Sequence, residues 1–410
     1  MQKIIEIFNK HLYPISLYAR QIAGTLVLFI IARYLTVYDY GIFTSYKTLS
    51  TFILVLANMG FESYILVSSH NNIEKVRKKV AFFLLNAILL ISFVLLALPF
   101  SWVEHKYLFI LIFIRTFLDG TFFALILPYF QATRKFNQIS FINIIYAFLI
   151  FIIAITSYIF KLKLETFLII NICLGIINLT QTSLLAQIPY LTLFKNIKES
   201  FKLVDKSILS FILINICFIL YSQIQGVFVS TQVPKVLAAL YFAANTIAGI
   251  IMLLISAQVQ KIMPEFIDIS PNKALALLKN EVKKMNIITI STLVFFILLG
   301  KTILEILYGQ VEYKNAYFIL LILSIANIFY GMGKVYITYI MAKNKTNIIW
   351  QMQIKAIIIS IFTLLLTYKY GIYSAALAYL LSASYIGIAY MQKTKKLLIN
   401  TKEITCNSNN

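Results

Sequence analysis

Twelve apolar stretches, each about long enough to cross a bilayer as a helix, follow one another through this chain with only short loops between them. They lie near residues 12–35, 42–68, 80–101, 107–131, 139–160, 166–190, 207–230, 236–262, 285–308, 315–340, 347–368 and 372–392. Backbone amides in lipid must be satisfied within the protein, and runs of about twenty apolar residues do so as helices. The expected fold class is therefore an all-α membrane protein of twelve transmembrane helices. Composition agrees: 60% of the 410 residues are hydrophobic and 12% charged, whereas soluble domains carry about a quarter charged residues. No loop has room for a soluble catalytic domain; the longest, about 20 residues, lies around Pro264 to Lys284.

The net charge of +21 suits nucleic acid in principle, but the basic residues are spread through loops instead of gathered on one soluble face. Membrane orientation explains them, and no nucleic-acid partner is expected. Arg33, Lys106, Lys161, Lys163, Lys235, Lys314 and Lys369 fall on one side; most other loop cations fall on the other, including Lys3, Lys10, Arg77, Lys198 and the tail lysines. By the positive-inside rule both termini are expected in the cytoplasm. The N-terminus has no small-residue cleavage site, so no removable signal peptide is expected. Cys173, Cys217 and Cys406 are too scattered for a disulfide framework or a thiolate metal site, and no metal or cofactor is expected. Nucleotide loops of the Walker type and nucleophile elbows are also missing from the sequence, so it does not read as an enzyme.

The basic stretch Lys195–Lys206 divides the spans six and six. Expected domains are an N-terminal lobe at 1–195, a linker at 196–206, a C-terminal lobe at 207–392 and a cytoplasmic tail at 393–410. A faint repeat matches this division: Tyr129, Ala132, Lys135 and Asn137 recur 210 residues later as Tyr339, Ala342, Lys345 and Asn347. Parallel repeats are one way transporters build two lobes.

Charges inside the spans are the candidate working groups, because each costs about 2.5 to 3.5 kcal/mol on insertion scales. Ser16, Arg20 and Gly24 share a face of the first span, which points Arg20 into the protein. Lys47, Thr51, Asn58 and Glu62 line one face of the second, either as a cavity wall or with Lys47 and Glu62 as interfacial anchors. Arg115 and Asp119, four apart in the fourth span, can neutralise each other or take part in ion coupling, as can Glu62. Asn245 and Ser256 belong to an uncharged polar strip of the eighth span, and Asn327 shares a face of the tenth with Gly331, Lys334 and Thr338; such strips either line a cavity or ease helix packing. Lys334 and Lys355 lie about two turns from the nearest loops, within reach of snorkelling. Arg20, Lys47, Arg115, Lys334 and Lys355 against Glu62 and Asp119 leave an excess of positive charge that an anionic cargo would cancel.

Several segments resemble Wzx-type polysaccharide repeat-unit flippases, which belong to the multidrug/oligosaccharidyl-lipid/polysaccharide exporter superfamily. They are Arg33–Phe43 (RYLTVYDYGIF), Asn58–Gly60 with Phe61, Tyr129–Lys135, Tyr241–Ala244, Pro264, Ile303–Gly309 (ILEILYG) and Tyr370–Leu377 (YGIYSAAL), all in order and at corresponding span ends. The resemblance implies two six-helix lobes that enclose a central cavity and rock between inward-open and outward-open states. It implies an undecaprenyl-diphosphate-linked oligosaccharide as cargo in a bacterial inner membrane, for O-antigen or similar surface polysaccharide, with a polymerase and glycosyltransferases as further partners. Arg20, Lys47, Lys334 and Lys355 are then the candidates for the anionic headgroup. Drug exporters of the same superfamily typically carry an acidic residue in the first span, where this chain has Arg20. That export and a membrane polymerase or ligase are the alternatives.

Overall fold

A computed structural model describes residues 2–58, 78, 80, 105–133, 135–187, 208–262, 266, 271–343 and 345–407. The expected third span, the inner end of the second with Glu62, and the 196–206 linker lie outside the described residues, Lys78 and Val80 apart.

Every described element is helical. The helices are α1 (Gln2–Tyr34), α2 (Val37–Asn58), a three-part α3 (Lys106–Thr121, a π-turn Phe122–Ile126, Leu127–Ala132), α4 (Phe136–Ile159) and α5 (Leu164–Ala186), followed by α6 (Ile208–Gln232) and α7 (Lys235–Ile262). Next come α8 (Pro271–Tyr308), a 3₁₀ turn Val311–Ala316, α9 (Tyr317–Ala342), α10 (Thr346–Thr367), a second 3₁₀ turn Tyr368–Tyr370 and α11 (Ile372–Asn407). Nine segments among the described residues are long and apolar enough to cross a membrane. Helices α2 and α3, about 33 and 40 Å long at 1.5 Å per residue, occupy two further expected spans. Large apolar side chains stand exposed along single faces, such as Phe141, Ile145, Phe148 and Ile152 on α4 or Ile287, Ile290, Val294 and Leu298 on α8. These ridges recur every three or four residues and suit a lipid solvent, since water would not tolerate so much contiguous apolar surface.

The chain forms two compact units, Met1–Ile216 and Cys217–Asn410. In the first, α1 packs on α4, α2 on α3, and α3 and α4 on α5. In the second, α7, α8 and α11 pack on α9, and α10 packs on α11. Three of these pairings, α2 on α3, α3 on α5 and α4 on α5, recur as α7 on α9, α9 on α11 and α10 on α11. The 210-residue repeat recurs in backbone geometry as well. Thr133 N–H donates to Tyr129 O at 3.0 Å and Lys135 N–H to Phe130 O at 3.0 Å; Lys343 N–H donates to Tyr339 O and Lys345 N–H to Ile340 O, both at 3.1 Å. Glycine permits the tightest crossings. A Cβ on Gly120 of α3 would collide with Leu54 of α2, and one on Gly387 of α11 with the carbonyl of Phe329 on α9.

Two features depart from the sequence reading. The stretch expected as a long loop up to Lys284 is already helix from Pro271, a residue suited to a first turn. Ala274, Leu278, Glu281 and Met285 bury one face of this extension, and Lys284 Nζ donates to Glu281 Oε1 at 2.6 Å. Likewise α11 runs through Lys393 to Asn407, where a tail was expected, and Thr394 Oγ1 reaches Tyr336 O at 3.5 Å.

Candidate functional site

Unit 1 holds a buried ionic cluster built from four helices. Arg20 on α1 is 5% exposed. Its Nη1 donates to Asn143 Oδ1 on α4 at 3.0 Å, and its Nη2 to Asp119 Oδ1 on α3 at 3.4 Å. The guanidinium lies between two rings, with Cζ 3.9 Å from the Phe122 centroid and 4.0 Å from that of Tyr146. This arrangement suits a delocalised planar cation and would not suit an ammonium.

Asp119 has a second guanidinium partner. Arg115, one turn earlier on α3, pairs through Nη1 with Asp119 Oδ2 and donates from Nη2 to the Tyr146 hydroxyl at 2.7 Å. That hydroxyl in turn donates to Asp119 Oδ1 at 3.0 Å. One carboxylate thus serves two guanidinium groups and a phenol. Its side chain is 37% exposed, against 4% for Arg20 and 12% for Arg115, so the anion faces accessible space and the two cations sit behind it.

Local sequence produces this geometry. Pro128 lacks an N–H and its ring would crowd the carbonyl four residues back, and the helix responds by widening to a π-turn closed from Leu127 N–H to Phe122 O. The π-turn begins with Phe122, whose ring covers Arg20. Asn143 and Tyr146, three apart on α4, share the face that meets α1.

Lys47 on α2 is half-buried, within electrostatic range of Asp119 and Arg115, and its ammonium makes no hydrogen bond among the described residues. At 1.5 Å per residue, Arg20 lies about 21 Å from the end of α1, and Asp119 about 20 Å, Arg115 about 14 Å and Lys47 about 15 Å from the starts of their helices. All four therefore lie more than two helical turns inside those helix ends. Three cations surround one anion.

The remaining candidates are dispersed. In unit 2, Lys334 is half-buried with Nζ 5.2 Å from the Phe218 ring and 5.6 Å from the Tyr330 ring. Asn327 is a cross-tie instead of a cavity lining: its Nδ2 donates to Ala248 O on α7 at 2.9 Å, and its Oδ1 accepts from Tyr379 on α11 at 2.9 Å. Gln225 Nε2 similarly ties α6 to Ser360 on α10 at 2.8 Å. Asn245 is exposed on α7, and Lys355 is exposed on α10 in line with Ile358 and Phe362. Asn58 and Ser256 lie in α2 and α7, with side chains outside the described set, as is all of Glu62.

The charge count from the spans stands, but the pairing within it differs. Arg20 shares the Asp119 carboxylate, which a count along the sequence assigns to Arg115 alone. Sequence reasoning missed Asn143, Tyr146 and Phe122, the neutral partners that make burial of Arg20 affordable.

No protein-family model and no curated protein matches the chain. Solved structures do. An inward-facing multidrug resistance MATE family transporter of the MOP superfamily aligns with TM-score 0.66 at 11% identity, over 94% of this chain and 96% of the other. The outward-facing conformation of such a transporter aligns at 0.63 and 11%, over 96% of each chain. A MOP superfamily transporter from Pyrococcus furiosus, described as having a binding pocket of reverse polarity that suggests a different function, aligns at 0.60 and 10%, over 95% and 94%. At such identities the likeness establishes the fold, which is an all-helical membrane fold shared with these transporters.

Proposed function

We propose that this chain is a multi-pass membrane transporter whose unit 1 cluster receives an anionic cargo, and that the cargo is the diphosphate of a lipid-linked oligosaccharide moved to the outer leaflet. The observation that carries this reading is the surplus of charge well inside the helices of unit 1: Arg20, Arg115 and Lys47 against Asp119. A cationic drug approaching that surplus is repelled, whereas a diphosphate gains from it, most of all in a site of low dielectric. Lys47 is the cation the cargo meets, because the two guanidinium groups are already engaged. On this reading the protein sits in a bacterial inner membrane with both termini cytoplasmic and works alongside glycosyltransferases and a polymerase.

The test is Lys47→Gln in cells whose surface polysaccharide depends on this chain. Normal protein abundance with polymer reduced at least about tenfold, as for one lost charge contact in a buried site, supports the reading. Unchanged polymer contradicts it.

Multidrug export is the second reading. It is favoured by the MATE transporters that share the fold and by the exposure of the Asp119 carboxylate, which places an acid where a proton, sodium ion or cationic drug could reach it. Efflux of a cationic dye that is lost in Asp119→Asn would favour this reading over the first.

A further inference from the structure

At the end of unit 1 where α1 stops, a cavity of about 1030 Å³ opens among the ends of α1, α2 and α3 and the turn from α4 to α5. Four of the seven cations that the sequence places on this side of the membrane line it: Arg33, Lys106, Lys161 and Lys163. The positive-inside rule makes basic residues scarce on that side, so their convergence on one cavity calls for a reason. Among the described lining residues two acids oppose them, Asp39 and Glu165. Asp39 is already engaged in capping α2: its Oδ2 accepts from Thr36 Oγ1 at 2.6 Å, and its N–H donates back to Thr36 Oγ1 at 3.1 Å. Among the described residues that line it, four positive side chains stand against two acids.

Two backbone features mark the same place. The first turns of α3 and α5 open at the cavity with no side-chain cap and α2 also starts there, so three positive dipole ends meet the negative ends of α1 and α4. Lys161 has φ 49°, a left-handed conformation in which glycine is relaxed and lysine is strained. The walls include Tyr107 and Tyr158, both well exposed, and Ile159, with Phe160 exposed beside it. Tyrosines of this kind mark the level of lipid headgroups, and exposed apolar side chains next to them suit acyl chains.

We propose that this cavity is a second binding site, separate from the buried cluster, that holds the phosphate of a lipid headgroup against Lys106, Lys161 and Lys163 while the acyl chains lie along Ile159 and Phe160. Either an anionic phospholipid of the surrounding leaflet or a polyprenyl diphosphate supplies that chemistry. The site stands whether or not the transport reading is correct.

Native mass spectrometry of the purified full chain in neutral detergent tests it, with phosphatidylglycerol, polyprenyl diphosphate and phosphatidylcholine as probes. Wild type should retain at least one of the two anionic lipids in preference to phosphatidylcholine. The double variant Lys161→Gln/Lys163→Gln should reduce that retention on the order of tenfold, and Lys106→Gln about fivefold, as expected for lysines beside an anionic headgroup. Lys369→Gln, an exposed cation of unit 2, should leave it unchanged. Loss confined to phosphatidylglycerol identifies a leaflet lipid, and loss confined to the diphosphate identifies cargo on its way out; both support the site. Should the double variant fail to remain monodisperse, Lys106→Gln carries the test. Retention of both anionic lipids unaltered in the variants, or phosphatidylcholine held as well as they are, overturns the proposal.

Discussion

Arg20 and Asp119, 99 positions apart, meet at 3.4 Å between α1 and α3 of unit 1, and Arg115 takes the other oxygen of the same carboxylate. Removing the carboxylate leaves two guanidinium groups facing one another without compensation. Asp119→Asn should therefore destabilise unit 1 by roughly 3–5 kcal/mol, the usual cost of breaking a buried pair from one side. Partial exposure of the carboxylate puts the expected value at the low end. A thermal-shift measurement in detergent checks this, and the double variant Arg20→Gln/Asp119→Asn should recover part of the loss if the two groups are coupled.

The sandwich around Arg20 predicts a second asymmetry. Arg20→Lys keeps the charge but loses the stacking on Phe122 and Tyr146 and one of two donor directions. It should lower the melting temperature measurably, and an unchanged value would show that geometry is unimportant there.

Tyr146 contributes in two separable ways. Tyr146→Phe removes the hydroxyl that links Arg115 to Asp119 but keeps the ring over Arg20, and should cost about 1–3 kcal/mol. Tyr146→Leu should cost more, because the ring is lost too. Equal losses in the two variants, read by chemical or thermal unfolding, would assign the whole effect to the hydroxyl.

At Gly120 the prediction is steric. Gly120→Ala drives a methyl into Leu54 and should destabilise by about 1–3 kcal/mol, with recovery in the Gly120→Ala/Leu54→Ala double variant. Failure of the second change to restore stability would mean that the α2–α3 crossing is not the limiting contact.

How much of this was legible beforehand depended on the range of the interaction. Spans were readable because lipid imposes a demand on each segment separately, and hydropathy registers it. The extension of α8 back to Pro271 was missed because its lysines resemble a loop, while Ala274, Leu278 and Met285 bury a face that is recognisable only once the helix is packed. Arg20 was readable as inward-pointing from Ser16 and Gly24 on the same face. Its partners were not, since Asn143 lies 123 positions away and Tyr146 is one of 26 tyrosines. Asn327 drew attention as part of a polar strip, but a strip does not reveal whether both ends of an amide already have partners on neighbouring helices. Lys355 shows the reverse limit: helical spacing placed it among polar neighbours, and the fold turned it to the same exposed face as Ile358 and Phe362.

Translocation measured in proteoliposomes that contain only this chain tests the charge argument most directly. A fluorescent polyprenyl-diphosphate sugar and a cationic dye would be followed in the same preparation, for wild type and for Lys47→Gln. The account predicts movement of the diphosphate-linked sugar, at least about tenfold slower in Lys47→Gln, with no movement of the dye. Dye transport without sugar transport, or sugar transport indifferent to Lys47, would contradict it.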